Sequence, residues 1–343
     1  MGPGARNPVA MRDLPPALFP WLSERLPGRP RIVGSERFGT GQSNPTWAIV
    51  TDSGTFVLRA KPPGRLLPKA HMVEREYRVM QALAETAVPV PRMVLLAGED
   101  NPLGRAFYVM EHLDGRIFWD PALPDVPDCM QVYLAMNRAL ADLHEIDPQS
   151  VGLDDFGRSE GFFARQVALW TRQYEAAVRT PDPRLTDIGK WLTDRTVADT
   201  APAITHGDFR LDNLVFHPTG SRIIGVLDWE LSTLGHPMAD LSYQVMQWHL
   251  PHDGPLKGLG GVDRSARSLP CDDAYVAAYC ARRGIEAPSD WSAWLVLAAY
   301  RFASILAGVG ARAEAGNASN PEKGREYGRL VPALVDLAER FRG

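Results

Sequence analysis

His206-Gly207-Asp208-Phe209-Arg210-Leu211-Asp212-Asn213, followed after a short apolar run by Leu227-Asp228-Trp229-Glu230, decides which fold this 343-residue chain can adopt. The stretch sets a carboxylate (Asp208), a carboxamide five residues later (Asn213) and a second carboxylate (Asp228) in order. Arg210 stands two positions after the first acid. Phosphoryl transfer asks a protein for positioning and charge neutralisation rather than covalent work. Mg²⁺ takes oxygen ligands, usually one or two carboxylates with phosphates and water. Asn213 and Asp228 supply such oxygens, which leaves Asp208 to accept or orient the proton of an acceptor hydroxyl. Arg210 suits the transferring phosphate, and Asp212, between Leu211 and Asn213, reads as an acid that stabilises the loop. Any one of these aspartates alone would more often be a turn or capping residue. It is their order that carries the chemistry.

His206, Asp208 and Asn213 fall in the register of the kinase catalytic loop, H-R-D-x-x-x-x-N. With glycine in place of arginine, the stretch resembles the aminoglycoside phosphotransferase family, in which H-G-D-x-x-x-x-N precedes a D-x-D or D-x-E acidic site. Gly41-Gln42-Ser43-Asn44-Pro45-Thr46, Lys61 to Pro68 and Trp229 to Pro237 resemble more narrowly the kinase-like domain fused to acyl-CoA dehydrogenase domains. The likeness runs from about residue 30 to the end. It implies an α+β, protein-kinase-like two-lobed fold, with an N-terminal antiparallel sheet plus helix and a mostly helical C-terminal lobe. It also implies ATP or GTP and Mg²⁺ as cofactors and a small-molecule hydroxyl as acceptor. The expected division is a nucleotide-binding lobe over residues 1–112 and a catalytic and substrate-binding lobe over 113–343. A protein kinase is disfavoured, because the D-F-G glycine and the A-P-E run are missing. A pseudokinase is disfavoured too, because base, metal acid and strand cation are all retained.

Ahead of the catalytic stretch, Arg31 to Val33, Trp47 to Val50 and Thr55 to Arg59 read as strands, the last two joined through Asp52-Ser53-Gly54. Phe38 to Asn44 lies where a phosphate-covering loop belongs, so Gly39, Gly41, Ser43 and Asn44 are candidate nucleotide contacts. Arg59 and Lys61 share a strand face. The V-x-x register places Arg59 in the phosphate-binding role, where protein kinases use lysine. Residues 70–86 read as a helix carrying Glu74 and Glu76; Glu76 is chosen as the partner of Arg59, with Glu74 the alternative. Strands follow over Arg92 to Leu96 and Ala106 to Met110. Tyr108 to Gly115 then matches the family's hinge, with adenine held by backbone groups near Glu111 and Leu113 and with Met110 behind it.

The remainder reads as helices: Asp128 to His144, Glu160 to Val178, Thr186 to Ala198, Ala239 to Trp248, Asp272 to Arg283, Ser289 to Gly308 and Pro321 to Arg342. Pro181-Asp182-Pro183 reads as a break, and Gly254 to Pro270 as a mobile loop. Asp240 is expected to brace the catalytic loop, and His236, His249 and His252 to be loop or capping residues rather than zinc ligands. The apolar segment Trp291 to Val309 contains Arg301 and is expected to be a buried helix rather than a membrane span. A net charge of −4 gives no basic face for nucleic acid. Three cysteines without metal-type spacing, and an N-terminal run without an apolar signal core, lead to a cytoplasmic expectation. Acidic and basic residues are mixed along the C-terminal helices, which suits a polycationic aminoglycoside poorly. A hydroxyacyl-CoA or related metabolite is the preferred acceptor, with the basic run Arg59 to Lys69 available to its anionic part.

Overall fold

A computed structural model describes residues 13–39, 44–64, 71–158, 160–316 and 321–343. In chain order the elements are α1 (Leu18–Arg25), β1 (Ile32–Arg37), β2 (Thr46–Thr51), β3 (Gly54–Ala60), α2 (Val73–Leu83), β4 (Met93–Ala97) and β5 (Phe107–Glu111). There follow α3 (Cys129–Glu145), α4 (Phe162–Ala177), α5 (Pro183–Thr193), β6 (Ala203–Thr205), β7 (Leu214–Phe216), β8 (Ile223–Val226) and β9 (Thr233–Gly235). The chain ends with α6 (Met238–Trp248), α7 (Asp272–Arg283), α8 (Trp291–Glu314), α9 (Pro321–Gly328) and α10 (Val331–Arg342). Two compact units emerge. The first takes the chain up to Arg116 together with Ile224–Glu230; the second takes Ile117–Ile223 and Leu231–Gly343. The expected boundary after residue 112 falls four residues earlier and leaves 224–230 with the second part. Local bonding explains the difference: the Val226 amide donates to the Pro89 carbonyl at 2.8 Å.

The first unit is built on a five-stranded sheet in the order β1-β2-β3-β5-β4, with antiparallel neighbours. Its register sets Arg59 directly opposite Tyr108, so both side chains leave the same face. That face meets α2, whose buried positions Val73, Glu76, Met80 and Leu83 recur at helical spacing. Glu76 therefore lies on the inward stripe although it is charged. The helix α1 was not read from the sequence. It is short and holds Pro20 near its start, yet it buries Leu18, Phe19 and Leu22 in a core with Trp47, Ile49, Leu58 and Phe107.

The second unit is mainly helical. β6 pairs with β9 through Ala203–Gly235, Ile204–Leu234 and Thr205–Thr233, so the catalytic stretch begins where β6 ends. Asp182 caps α5 by accepting from the Arg184 amide at 2.8 Å, and Pro183 opens the helix. The segment expected to break the chain is thus a start signal, since proline at the first helical position lacks only an N–H that would be unpaired anyway. α8 continues to Glu314, past its expected end at Gly308. It is the one described helix apolar and long enough to cross a membrane, and 83% of its apolar window is buried within this chain. The run expected as one helix from Pro321 divides into α9 and α10. At the α8–α9 contact a Cβ built on Gly310 would lie 3.0 Å from the Gly328 Cα, so the two backbones touch.

Candidate active site

In the first unit the site is organised around a buried carboxylate. Arg59 Nε lies 2.9 Å from Glu76 Oε2, and Glu76 is fully buried. Tyr108 donates its hydroxyl to the same oxygen at 3.0 Å, and Asn44 Nδ2 donates to Oε1 at 2.7 Å. Burial pushes the Glu76 carboxyl up, and Arg59, Tyr108 and Asn44 oppose that shift. Burial would likewise discharge Arg59, but Glu76, Asp228 and Glu230 outweigh it and keep the guanidinium charged. Lys61 instead pairs with Glu74 at 2.6 Å. The cation on β3 and the one just after it thus divide between the two acids of α2, and the more deeply buried acid takes the arginine.

Arg59 also reaches the acidic site: Nη2 donates to Asp228 Oδ1 at 2.6 Å and lies 3.6 Å from Glu230 Oε2. Asp228 adopts φ +65°, a left-handed backbone that aspartate tolerates better than most side chains. Trp229 fastens this turn. Its ring is fully buried, and its indole N–H donates to the Val226 carbonyl at 2.9 Å.

The other nucleotide candidates fall out as follows. Gly39 is exposed, with open space where a side chain would stand, whereas Gly41 and Ser43 lie outside the described residues. Asn44, expected among the phosphate contacts, is buried with both ends of its amide engaged, Nδ2 on Glu76 and Oδ1 with His71 Nδ1 at 2.9 Å. It supports the ion pair instead. Met110 is buried and Leu113 half-buried. The Glu111 amide is already bonded to the Arg92 carbonyl at 3.0 Å, so its own N–H is spoken for within the first unit.

In the second unit the loop after β6 is held from α6. Asp240, buried, accepts from the His206 amide at 2.6 Å and from the Gly207 amide at 2.8 Å. His144 Nε2 lies 3.2 Å from the same carboxylate, and its Nδ1 lies 2.6 Å from the Tyr279 hydroxyl. Burial keeps His144 neutral. It would also raise Asp240, but the His144 hydrogen bond and the Gly207 amide hold that carboxyl below its usual range. Gly207 has φ +84°, and a Cβ there would lie 2.5 Å from the Leu231 carbonyl oxygen. Only glycine fits this corner.

Asp208 projects from the braced corner. Asn213 Nδ2 donates to its carbonyl at 2.9 Å and to its Oδ2 at 3.1 Å, so Asn213 would meet a cation through Oδ1. Arg210 bridges Asp208 at 3.3 Å and Asp212 at 3.1 Å. Burial pushes the Tyr243 phenol above its usual range, and the nearby Asp208 carboxylate acts in the same direction. Sequence reading missed Tyr243, Tyr108, His71, Tyr279 and Arg301, the last of which donates from α8 to the Gly207 carbonyl. A faint signal existed for Tyr243, which follows Asp240 at the i,i+3 spacing of a helix face.

The histidines near the acidic site go three ways. His236 Nδ1 accepts from the Met238 amide at 3.2 Å, His249 pairs with Asp272 at 2.5 Å, and His252 with Asp120 at 2.8 Å. Among the described residues, no group of three or more His, Cys, Asp or Glu is gathered for a metal.

Residues 35–300 match the model of the phosphotransferase enzyme family, which covers most of the chain. The chain belongs to that family. It is 40% identical over 326 residues to acyl-CoA dehydrogenase family member 11 of Gallus gallus, an alignment spanning 92% of this chain and 42% of that protein. Against acyl-CoA dehydrogenase family member 10 of Mus musculus it is 39% identical, over 89% of this chain and 29% of the relative. The chain thus spans less than half the length of these curated relatives. A solved chain from Ralstonia eutropha, provisionally named an aminoglycoside phosphotransferase, superposes with a TM-score of 0.84 at 39% identity, covering 95% of this chain and 97% of its own. Choline kinase from Cryptosporidium parvum shares the fold at 11% identity, with a TM-score of 0.62 over 94% of this chain and 93% of its own. The fold is the protein-kinase-like one, with the N-terminal antiparallel sheet and helical C-terminal part expected. The family is one of phosphotransferase enzymes, and these neighbours share its fold.

Proposed function

We propose that the chain moves the γ-phosphate of ATP to a hydroxyl of a small molecule, with a hydroxyacyl-CoA or related metabolite as acceptor. The observation that carries this reading is the braced loop: Asp240 fixes the successive amides of His206 and Gly207, and Asp208 follows them with Asn213 bonded to it. Asp208 takes the role of base, within hydrogen-bond reach of the acceptor oxygen. Arg59 and Arg210 neutralise phosphate charge, each exchanging carboxylate partners for phosphate oxygens of similar geometry. Gly39, Gly41, Ser43 and backbone groups near Glu111 and Leu113 are assigned to the nucleotide, with Met110 behind the adenine. Asn213 and Asp228 fit Mg²⁺ because both offer hard oxygens, and Mg²⁺ needs only one or two protein carboxylates. When bound, that ion would neutralise charge developing on the phosphates. The three cysteines are free thiols, in keeping with the expected cytoplasmic setting.

The acceptor class rests on how the acids of the second unit are used. Asp272 is shared by His249 and Arg264, Asp120 by His252 and Lys257, and Asp336 and Glu339 by Arg184. Carboxylates already paired give little field to a polycation. The relatives carry acyl-CoA dehydrogenase in their names, which favours an acyl thioester.

Purified protein is therefore expected to phosphorylate hydroxyacyl-CoA compounds with Mg-ATP in preference to a panel of aminoglycosides. Asp208→Ala and Asp228→Ala are each expected to lower transfer by at least about 10²-fold while the circular dichroism spectrum stays native. Turnover on aminoglycosides alone would reverse the acceptor assignment. A thermal shift with Mg-ATP but no turnover would leave a nucleotide-binding protein without catalysis.

A further inference from the structure

One corner of the first unit holds positive charge that no acid answers. Arg37 ends β1 and stands opposite Trp47 of β2 in the antiparallel register, so both side chains leave the sheet on one face. Trp47 is in turn opposite Leu58, next to Arg59, which puts it on the face away from Arg59 and α2. Arg105 stands two residues before β5. Each of the two guanidinium carbons lies 5.8 Å from the centre of the Trp47 ring. The ring is buried in the core that α1 closes, so it cannot swing aside. Both backbones are fixed as well. Just beyond Arg37, the Phe38 amide donates to the Thr46 carbonyl at 3.0 Å. Asn101 ties the turn ahead of Arg105: its Nδ2 donates to the Arg105 carbonyl at 3.0 Å, and its Oδ1 accepts from the Leu103 amide at 2.7 Å.

Other half-buried arginines of this chain end on carboxylates or carbonyls. Arg59 meets Glu76 and Asp228, Arg264 meets Asp272, and Arg267 donates to the carbonyls of Ala122 and Leu123. Arg105 is half-buried and Arg37 exposed, and among the described residues neither makes an ion pair. The remaining residues of the chain include no Asp or Glu. Asp52 and Glu111, at nearby strand ends, are taken by Arg31 and Arg92. Glu36 is paired with Ala48 in the register and so leaves the opposite face. Glu99 and Asp100, on the turn that carries Arg105, are exposed and pair with neither arginine. Burial works against the charge on Arg105, Arg37 adds to that effect, and no carboxylate works the other way. Two N–H groups at this corner are also shielded from solvent without an acceptor, the Trp47 indole and Arg105 Nε. Buried donors are normally accepted by protein, water or an ion.

We propose that Arg37 and Arg105, backed by the Trp47 ring, form a binding site for a phosphate monoester on the face of the first unit away from Arg59. The charge count selects the ligand. A phosphate monoester carries about −1.5 to −2 at pH 7 and matches two guanidiniums, whereas a single carboxylate would leave one of them unanswered. The planar fork of each arginine suits two phosphate oxygens at once. A small turn of the Arg105 side chain would give its Nε an acceptor. The monoester can belong to a free phosphorylated metabolite or to a phosphorylated side chain of a partner protein, and the experiment separates the two.

The full chain is prepared with isotopically labelled tryptophan, free of Mg²⁺ and nucleotide, and its nine indole N–H signals are followed by NMR. Trp47→Phe identifies the Trp47 signal. Titration with inorganic phosphate should move that signal saturably, and chloride at the same ionic strength should not. In Arg37→Met and Arg105→Met the apparent affinity should fall by about tenfold or more, the loss expected for a charge-assisted hydrogen bond. Arg37 is exposed, so its variant keeps the test decisive even if Arg105→Met does not fold. Arg210→Met, in the second unit, should leave the Trp47 response as it is. Glycerol phosphate binding more tightly than a phosphoserine peptide identifies a metabolite as the ligand, and the reverse order identifies a partner protein. A Trp47 signal that stays still, moves equally with chloride, or responds unchanged in the arginine variants overturns the proposal. So does a response lost in Arg210→Met but kept in Arg37→Met, since phosphate would then be acting at the catalytic loop.

Discussion

Arg59 faces three carboxylates, of which Glu76 alone is fully buried. A buried carboxylate stripped of its cation is left uncompensated, a loss of about 3–5 kcal/mol. Arg59→Met should therefore destabilise the protein by that order. Glu76→Gln should be milder, because Tyr108 can still donate to the amide oxygen. The double variant should fall well short of the summed losses in urea unfolding, and additive losses would mean that the pair is not coupled. At this scale the sequence was half legible. Spacing showed that Arg59 and Lys61 share a face and that Glu74 and Glu76 lie on the helix that carries the apolar stripe. It could not show which acid meets which cation. That choice was made by the β3–β5 register, which sets Tyr108 opposite Arg59 and supplies the hydroxyl that Glu76 needs. Asn44 was misread for a related reason: an amide in a glycine-rich loop looks like a phosphate contact until its partners are seen.

Residues 250–270 show the same limit for a whole element. Four glycines suggested mobility, but glycine also permits close packing. The Leu259 amide donates to the Trp248 carbonyl at 2.8 Å and the Gly260 amide to the Leu250 carbonyl at 2.9 Å. His252 and Lys257 are both anchored on Asp120. Burial would raise the Asp120 carboxyl, but hydrogen bonds from Lys257, His252 and the Ala122 amide bring it to about 2. A Cβ on Gly258 would lie 2.2 Å from the Leu250 carbonyl oxygen and 2.5 Å from that of Gln247. Gly258→Ala should thus destabilise by about 2 kcal/mol, whereas Gly98→Ala, facing open space, should be near neutral. Scanning calorimetry on the two variants checks this; equal melting temperatures would mean that the segment is loose after all. The helices α3, α4, α6 and α7, by contrast, were readable to within about two residues, because periodicity reports a buried face directly. α1 was not, since eight residues around a proline carry too little pattern.

For the molecule as a whole, pH dependence gives a global readout. His236 is buried against the Trp294 ring at 4.4 Å, and burial lowers it to about 4, with only partial relief from Asp199. The unfolded chain binds this proton below the ordinary value of about 6.5, and the folded chain does so only near 4. The stabilising contribution is therefore complete above about pH 6.5 and is lost as the pH falls towards 4, on the order of 2 kcal/mol. Carboxylates titrate in the lower part of that range too, so the comparison is with His236→Gln. Unfolding free energy should fall more steeply between pH 7 and 4.5 in wild type than in the variant; parallel curves would exclude His236 as the source. Family and fold were legible from one loop because its chemistry admits few solutions, while the acceptor was not, since acids and bases of the helical unit neutralise one another in pairs that sequence does not reveal. The seam between Gly310 and Gly328 has a mechanical corollary. With no side chain between the two main chains there is no rotamer to absorb a shove, so a single added methyl acts as a wedge. It would press on the same rod that carries Arg301 roughly 14 Å away, and a change on the far side of the helical unit would be felt at the catalytic corner without touching it.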